Sequence, residues 1–164
     1  VAVMNRGQIE QMGAPEALYE RPKTAFVSKF LGQSNLFVGE VAESSANSLS
    51  ISLAGNRISV PKERAEKQTG KIAIGVRPEK VEFHRTQPAA NSNLNILGPG
   101  EIKDIRFTGV SNQYLIDIPN VGHVTVFAQN VGISPVIELG EQVWVSFKVE
   151  HAFGLLDLPV GDEE

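Results

Sequence analysis

Apolar and polar side chains alternate through most of the chain after residue 33. In the stretch VWVSF, Val143, Val145 and Phe147 share one face of a strand, and Trp144 points to the other face. Comparable short stretches recur about every ten residues, separated by Gly, Asn and Pro. This spacing favours a small antiparallel barrel over a parallel sheet, and it predicts a protein that is mainly β.

The first 33 residues have a different pattern. Two strands, at residues 1–4 and 8–12, are followed by two short helices, at residues 14–19 and 25–31. The apolar face of the second helix is expected to consist of Phe26, Val27, Phe30 and Leu31. The first strand begins abruptly with a two-sided apolar run. We therefore expect the carboxyl-terminal piece of a longer protein, with exposed apolar surface on these two strands.

Two stretches of the β region resemble each other. Residues 72–79 (IAIGVRPE) align with residues 143–150 (VWVSFKVE): the first, third and fifth places are apolar, a base follows, and an acid comes two places later. Gly39-Glu40-Val41 and Gly100-Glu101-Ile102 form a second matching pair. We interpret these matches as two degenerate copies of one small β unit, although any two alternating strands share part of the pattern.

These patterns predict the domain organisation. Residues 1–33 form a short α/β piece, and residues 34–164 form a pair of small antiparallel barrels. The two repeats are expected at about residues 34–85 and 96–158, with a last short strand at residues 155–158.

Composition excludes several classes of function. The 164 residues are 41% hydrophobic, which suits one ordinary domain or two small ones. A formal net charge of −4 argues against a nucleic-acid partner, because binding to the phosphate backbone needs a basic patch. The absence of cysteine excludes disulfides, a thiolate zinc site and a cysteine nucleophile. No apolar run approaches the roughly 18 residues of a spanning helix, so membrane association is expected only through a partner.

The sequence contains none of the common catalytic motifs. Gly70-Lys71 is followed by Ile72, so no phosphate loop of the form G-x-x-x-x-G-K-[ST] is present. The three histidines lie in separate segments, and there is neither an H-E-x-x-H nor a G-x-S-x-G pattern. We predict no catalytic, cofactor-binding or metal-ligating residue, and hence no enzyme activity of this chain on its own.

Five residues are candidates for an interface or a ligand-facing site: Arg77, Glu79, Trp144, Lys148 and Glu150. Arg77 and Glu79 leave one predicted strand where Lys148 and Glu150 leave its echo. Each base could pair with its acid or reach across an interface, and we favour a structural turn over a ligand site. Trp144 indicates either a second buried layer or a binding surface, and we favour the buried layer.

The run from Val1 to Gly32 closely resembles a known family. VAVMNRGQIEQMG, PEALYERP and FVSKFLG follow one another as they do at the end of the nucleotide-binding domain of ABC importer ATPases. In importers of the maltose, sulfate, iron and polyamine type, a pair of OB-like barrels follows, the transport-associated OB domain. Residues 74–79 (IGVRPE) resemble the recurrent arginine-proline-glutamate turn of that domain, and residues 105–130 are similar to its second half.

The resemblance implies a carboxyl-terminal regulatory and dimerisation domain of an importer's ATP-binding subunit, nearest to the polyamine, iron and sulfate branches. The parent protein would then be an ATPase that uses ATP and magnesium. The family's phosphate loop, signature motif, catalytic acid and switch histidine are not in this sequence. The implied partners are a second copy of the subunit, in a homodimer, and the membrane permease subunits, contacted through the parent's ATPase domain. The implied location is cytoplasmic, on the inner face of the plasma membrane.

Two rival functions stay open. In the first, the barrel pair senses the transported solute and inhibits transport, and its acidic charge then favours cations over sulfate. In the second, the barrels bind nucleic acid, which would need stacking aromatics and a basic groove. With 7% aromatic residues and a net charge of −4, the second ranks last.

Overall fold

The computed structural model describes residues 1–109, 111–129 and 137–159. Within these ranges the chain forms two short α-helices, α1 (Pro15–Glu20) and α2 (Ala25–Phe30), three 3-10 turns and twelve strands. The 3-10 turns are Lys62–Arg64, Pro78–Lys80 and Val149–His151. The strands are β1 (Ala2–Asn5), β2 (Gln8–Met12), β3 (Asn35–Ser44), β4 (Ser48–Leu53), β5 (Asn56–Pro61), β6 (Lys71–Val76), β7 (Glu82–His84), β8 (Leu94–Phe107), β9 (Ser111–Ile118), β10 (Gly122–Gln129), β11 (Gln142–Lys148) and β12 (Phe153–Gly154).

The amino-terminal piece is an antiparallel hairpin, β1–β2, with α1 and α2 packed on it. Pro15 begins α1, as its fixed φ favours. The Thr24 side chain caps α2 by accepting a hydrogen bond from the Val27 amide. Val3, Leu18 and Val27 form a small buried core between hairpin and helices. The predicted strands and helices of this piece are confirmed.

The predicted apolar face of α2 is only half right. Val27 is buried and Leu31 packs beside it, but Phe26 and Phe30 are 36% and 63% exposed and stack on each other. Residues 27 and 31 are one turn apart and meet the hairpin, whereas residues 26 and 30 lie on the neighbouring stripe, which meets solvent. The hairpin also carries exposed large apolar side chains, as predicted: Val1, Met4, Ile9 and Met12.

The β region forms two five-stranded antiparallel sheets with equivalent strand orders. The first is β12-β6-β3-β4-β5 and the second is β7-β11-β8-β9-β10. Each half of the chain therefore places its last short strand at the edge of the other half's sheet. The last strand is β12, at Phe153–Gly154, rather than the predicted residues 155–158, because Phe153 and Gly154 pair with Gly75 and Ile74 of β6.

The two sheets share one apolar core, which includes Ile72 and Ile74 of β6 and Val143 and Val145 of β11. The predicted fold class, mainly β with paired antiparallel barrels after a short α/β piece, is confirmed. The predicted domain boundaries stay a prediction. In the structure, an exchanged strand and a common core join the two halves of the β region. In the described part of the chain, neither α-helix has the length or the apolar character to cross a membrane.

Two buried asparagines join the sheets at equivalent places. The Asn95 side chain of β8 accepts from the Ser59 amide of β5 and donates to the Ser59 carbonyl, both at 2.9 Å. The Asn35 side chain of β3 makes the same pair of bonds with Thr125 of β10, both at 2.8 Å. Each side-chain amide thus makes, with an edge strand of the opposite sheet, the two hydrogen bonds that a neighbouring strand would otherwise make.

Candidate functional site at the junction of helices and barrels

Arg77 lies where β6 ends and the turn Pro78–Lys80 begins, and it is 3% exposed. Pro78 disfavours helical geometry at the preceding residue, so Arg77 stays extended (φ −72°, ψ 142°). Its guanidinium leaves the barrels and enters the helical part of the chain. The Nη2 atom donates to the Tyr19 carbonyl at 3.0 Å. The Nη1 atom lies within 2.6–3.3 Å of four oxygens: those of the Ser28, Gly32 and Gln33 carbonyls and the Ser34 hydroxyl.

Aromatic rings enclose the same guanidinium. Its carbon lies 4.1 Å from the centroid of the Tyr19 ring and 5.7 Å from that of Phe153. A cation over a ring face is attracted by the ring's quadrupole, the more so when water is excluded. Burial lowers the pKa of Arg77, yet an arginine stays protonated in proteins. A charged side chain of the first barrel is therefore buried against the ends of two helices.

Glu79 completes this contact from the other end of Tyr19. The Tyr19 hydroxyl donates a hydrogen bond to the Glu79 carboxylate. Burial, followed by the hydrogen bond and the charge of Glu79, raises the pKa of Tyr19 to about 12. Arg77 and Glu79 therefore both contact the helical part of the chain, and neither pairs with the other in an ion pair. Whether they also serve an interface or a ligand stays a prediction.

Within the described residues, the turn after β11 makes no comparable contact. Lys148 is exposed, and the Glu150 carboxylate is 70% exposed and 3.9 Å from the His151 Nε2. The Glu150 carbonyl accepts a hydrogen bond from Arg64 at 2.8 Å. The structure thus places Lys148 and Glu150 at the position equivalent to Arg77 and Glu79 but on the surface, where they remain candidates for contact with a partner.

Trp144 lies half-buried on the outer face of β11, opposite to the core-facing Val143 and Val145, as the alternation predicts. A Cβ atom added to Gly98 would lie 3.1 Å from the Trp144 ring, so the ring packs closely over this glycine. On the same face, Ser146 is buried and hydrogen-bonded to His84 at 2.8 Å. The ring is partly covered by protein and partly exposed to solvent. That Trp144 belongs to a packed layer rather than to a binding surface stays a prediction.

Two further residues where the barrels contact the helices, Arg64 and Asp157, were not predicted from the sequence. Arg64 donates to the Glu20 carbonyl at the end of α1, and Asp157 accepts from the Ala25 amide, at 2.8 Å, where α2 begins. Arg64 belongs to a charged stretch that looks solvent-exposed in the sequence, and Asp157 falls in the predicted short strand at residues 155–158. Their partners are distant along the chain, so no local pattern reveals them.

A small polar cleft lies beside the junction, with a volume of about 170 Å³. It is lined by Gln33, Asp104, Arg106, Gln113, Leu115 and Thr125. Asp104 and Arg106 pair at 3.1 Å, and the Gln33 side chain donates to the Thr125 hydroxyl at 3.3 Å. The cleft therefore joins the outer face of the second sheet to the linker whose carbonyls contact Arg77.

The Gly-Lys pair of this chain does not form a phosphate loop. Gly70 has a φ of 72° and precedes Lys71, the first residue of β6, so the Gly-Lys pair enters a strand instead of a helix. A phosphate loop needs backbone amides that converge at a helix start. No step of ATP hydrolysis is assigned to these residues.

Comparison with known proteins identifies the fold of the barrels. Residues 74–155, from the Arg77 turn to the exchanged strand β12, match the family model of the TOBE domain. The chain belongs to the TOBE domain family. This match includes the turn at Arg77 to Glu79 and the whole second half of the β region.

Similar proteins are ATP-binding subunits of importers. The chain is 31% identical to the spermidine/putrescine import ATP-binding protein PotA of Thermobifida fusca, over 94% of this chain and 40% of that protein. It is 35% identical to the PotA of Trichormus variabilis, over 79% of this chain and 34% of that protein. The chain thus spans well under half the length of the curated relatives it matches. The resemblance to the TOBE-bearing part of importer ATP-binding subunits is confirmed.

A solved structure shares the fold. The cytoplasmic molybdate-binding protein ModG superposes with a TM-score of 0.61, covering 73% of this chain and 94% of that protein, at 17% identity. This likeness supports the predicted OB-like barrels, and at this identity it concerns the fold alone.

Proposed function

We propose that this chain is the regulatory and dimerisation domain of the ATP-binding subunit of a polyamine importer. The observation that carries the proposal is the TOBE match together with relatives named for spermidine/putrescine import. The parent subunit would hydrolyse ATP with magnesium through residues other than those of this chain. It would act as a homodimer with membrane permease subunits, at the cytoplasmic face of the membrane.

In this role the chain works through contacts. The barrel pair would form a platform that keeps two ATPase subunits together while their nucleotide sites open and close. The resemblance of residues 1–32 to the end of an ATPase domain supports this arrangement. So does the buried contact of Arg77, which connects that part of the chain to the barrels.

The dimerisation role is tested by sedimentation equilibrium of the chain over a wide range of concentrations. We expect a monomer–dimer equilibrium. A monomer at every concentration would contradict the proposed platform.

The transported substrate is tested in cells that lack the parent subunit. We expect them to lose uptake of labelled spermidine or putrescine, and to regain it when the subunit is restored. Normal polyamine uptake with loss of sulfate or iron uptake would assign the subunit to one of those branches instead.

A second candidate function is sensing of a solute by the barrels, with inhibition of transport. The polar cleft beside Gln33 favours it, and so does the shared fold with a protein that is named for molybdate binding. A ligand at a hundredfold over its Kd would add about 2.7 kcal/mol of apparent stability. A thermal-shift panel of spermidine, putrescine, sulfate, ferric iron, maltose and ATP therefore tests sensing: a shift with one class supports it, and no shift contradicts it for these solutes.

A further inference from the structure

The helical segment, defined here as residues 14–34, contributes few side chains to the buried apolar clusters of the barrels. Its buried Leu18 and Val27 pack against the hairpin. On the barrel side, among the residues that the structure describes, its Ala25 alone joins the buried cluster around Phe153. Burial of one alanine supplies little of the free energy needed to hold a segment of this length in place. We therefore expect the contact with the barrels to depend mainly on polar bonds.

Positive side chains of the barrels hold the carboxyl-terminal ends of both helices. Arg64 donates to the carbonyl of Glu20, the last residue of α1, and Arg77 donates to that of Tyr19. Arg77 also donates to the carbonyl of Ser28 in the last turn of α2, at 2.8 Å. The last carbonyls of a helix have no partner within the helix and carry partial negative charge, so these are the acceptors that a guanidinium suits.

A negative side chain holds the opposite end of α2. The Asp157 carboxylate accepts from the Ala25 amide at 2.8 Å, and the backbone amide of the preceding residue, Leu156, donates to the Lys23 carbonyl at 2.7 Å. An acid at a helix start and bases at helix ends match the direction of the helix dipole. The barrels thus recognise the helical segment by charge at each of these ends.

We propose that this set of charged contacts fastens the helical segment to the barrel pair so that the two move as one body, and that Arg77 is the positioning residue whose loss separates them. Arg77 contacts α1, α2 and the linker after α2, and Arg64 and Asp157 each contact a single helix. Removing Arg77 takes its donor away from the carbonyls of Tyr19, Ser28, Gly32 and Gln33 and from the Ser34 hydroxyl, whereas the Arg64 and Asp157 contacts remain. A lysine in its place keeps the charge but loses the fork that reaches two helices.

Hydrogen exchange of the whole chain, measured by mass spectrometry, tests the proposal. We expect Arg77→Ala to speed amide exchange over residues 14–34 by about tenfold or more, while β3 and β6 keep their protection. Arg77→Lys is expected to give an intermediate rate. Arg57→Ala is the matched control, because it removes an exposed arginine of the first sheet, and it should leave residues 14–34 unchanged.

The ionisation of Tyr19 reports by spectroscopy whether the helical segment leaves the barrels. Release of the helical segment would expose Tyr19 and remove its bond to Glu79, so the pKa of Tyr19 should fall from about 12 toward the ordinary 10. If the segment stays in place, loss of the nearby Arg77 charge raises the pKa instead. Tyrosinate absorbance, measured between pH 9 and 11, separates these two cases. The same titration of Tyr19→Phe gives the contribution of Tyr114, which is subtracted. Trp144 fluorescence confirms that the barrels stay folded.

The outcomes distinguish the alternatives. Faster exchange confined to residues 14–34, with a lower pKa of Tyr19, supports the proposal. Unchanged exchange there overturns it, and so does equal loss of protection in the barrels, because Arg77 would then stabilise the whole fold. If Arg77→Ala does not fold, Arg77→Lys decides by the same two readings.

The inference depends on the proposed function only for its consequence in an importer, where movement of the ATPase end would carry the barrels with it. Exchange is measured on this chain alone. The exchange experiment can therefore contradict the role of Arg77 while the importer assignment holds. The uptake and sedimentation experiments can contradict the importer assignment while the role of Arg77 holds.

Discussion

The turns after β6 and after β11 occupy equivalent places in the two halves of the β region, yet only the first follows a buried base. Both begin with a base at the end of a core strand and form a 3-10 turn of three residues. Arg77 is buried against two helices, whereas Lys148 meets solvent. The difference comes from what lies outside: the helical segment covers the first turn, and nothing in the described part of the chain covers the second in the same way.

Elsewhere the two halves are nearly alike. Gly39 and Gly100 approach the neighbouring strand in the same manner, Asn35 and Asn95 join the sheets in the same manner, and each half exchanges its last strand. The glycines, asparagines and exchanged strands that close the barrels are thus present in both halves. The buried arginine that attaches the barrels to the helical segment belongs to the first half, and its counterpart in the second half is exposed. Four predictions test this division, beginning with the largest effect.

The largest effects are expected from paired glycine substitutions. A Cβ at Gly39 would lie 2.7 Å from the Ser52 carbonyl oxygen, and one at Gly100 would lie 2.9 Å from that of Asp117. Since backbone must move in both cases, Gly39→Ala and Gly100→Ala should each lower the free energy of unfolding by about 1–3 kcal/mol. Urea unfolding followed by Trp144 fluorescence measures this.

Gly13→Ala is the control for these glycines, because its added Cβ would meet only the Leu18 side chain at an ordinary 3.7 Å. It should change stability far less. A tolerant Gly39 beside an intolerant Gly100, or the reverse, would break the equivalence of the two halves.

The asparagine pair comes next. Asn35→Ala and Asn95→Ala each leave an amide and a carbonyl of an edge strand without partners, which costs about 1–3 kcal/mol. Asn35→Ala should cost the more, because both bonds to Thr125 are buried, whereas those to Ser59 are partly buried. The same urea experiment measures both losses, and a negligible loss at either position would contradict the role of these amides.

A smaller effect separates the two turns. Glu79→Ala removes the acceptor of the Tyr19 hydroxyl and should cost about 0.5–1 kcal/mol, since the contact is partly exposed. Glu150→Ala, at the equivalent place, should stay within about 0.5 kcal/mol of the parent chain. Thermal unfolding of the two variants side by side checks this, and equal losses would mean that the turns do not differ as the structure indicates.

The smallest effect is a pH dependence of the second turn. His151 takes the position that Lys80 has in the first turn. Burial, followed by nearby Lys80, Lys148 and Arg64, lowers the pKa of His151. The unfolded chain then binds a proton more readily, so this contribution to stability is present above about pH 6.5 and is lost as the pH falls through the folded pKa.

The Tm of the chain should therefore fall slightly more between pH 7.5 and pH 5 than that of His151→Gln, which cannot titrate at this position. Parallel curves for the two proteins would show that His151 does not contribute.

Much of the fold could be predicted because its signals are local. The alternation of apolar and polar residues with a period of two marks β9 and β11, and a proline marks the start of α1. The matching stretches at residues 72–79 and 143–150 indicate two similar units from the order of residues alone. The face of α2 was misjudged for an equally physical reason: the sequence shows an apolar cluster, but only packing decides which stripe of it meets the hairpin.

The candidate site was predicted in part. Repetition pointed to Arg77 and Glu79 as residues of interest, but their partners, Ser28 and Tyr19, lie far away along the chain. Nothing in the local pattern distinguishes a buried Arg77 from an exposed Lys148. The same distance hides Arg64 and Asp157, which look like ordinary surface charges in the sequence.

Periodicity, turn residues and capping depend on neighbours in the chain, and for this reason the mainly β class, the hairpin, the two helices and the repeat follow from the amino-acid sequence. The exchange of β7 and β12, the two asparagine contacts and the burial of Arg77 depend on groups that meet only when the sheets and helices pack together. The sequence therefore determined which elements this protein has. The tertiary structure decided which of two equivalent charged turns holds the helices, because burial and long-range hydrogen bonds exist only in the assembled fold.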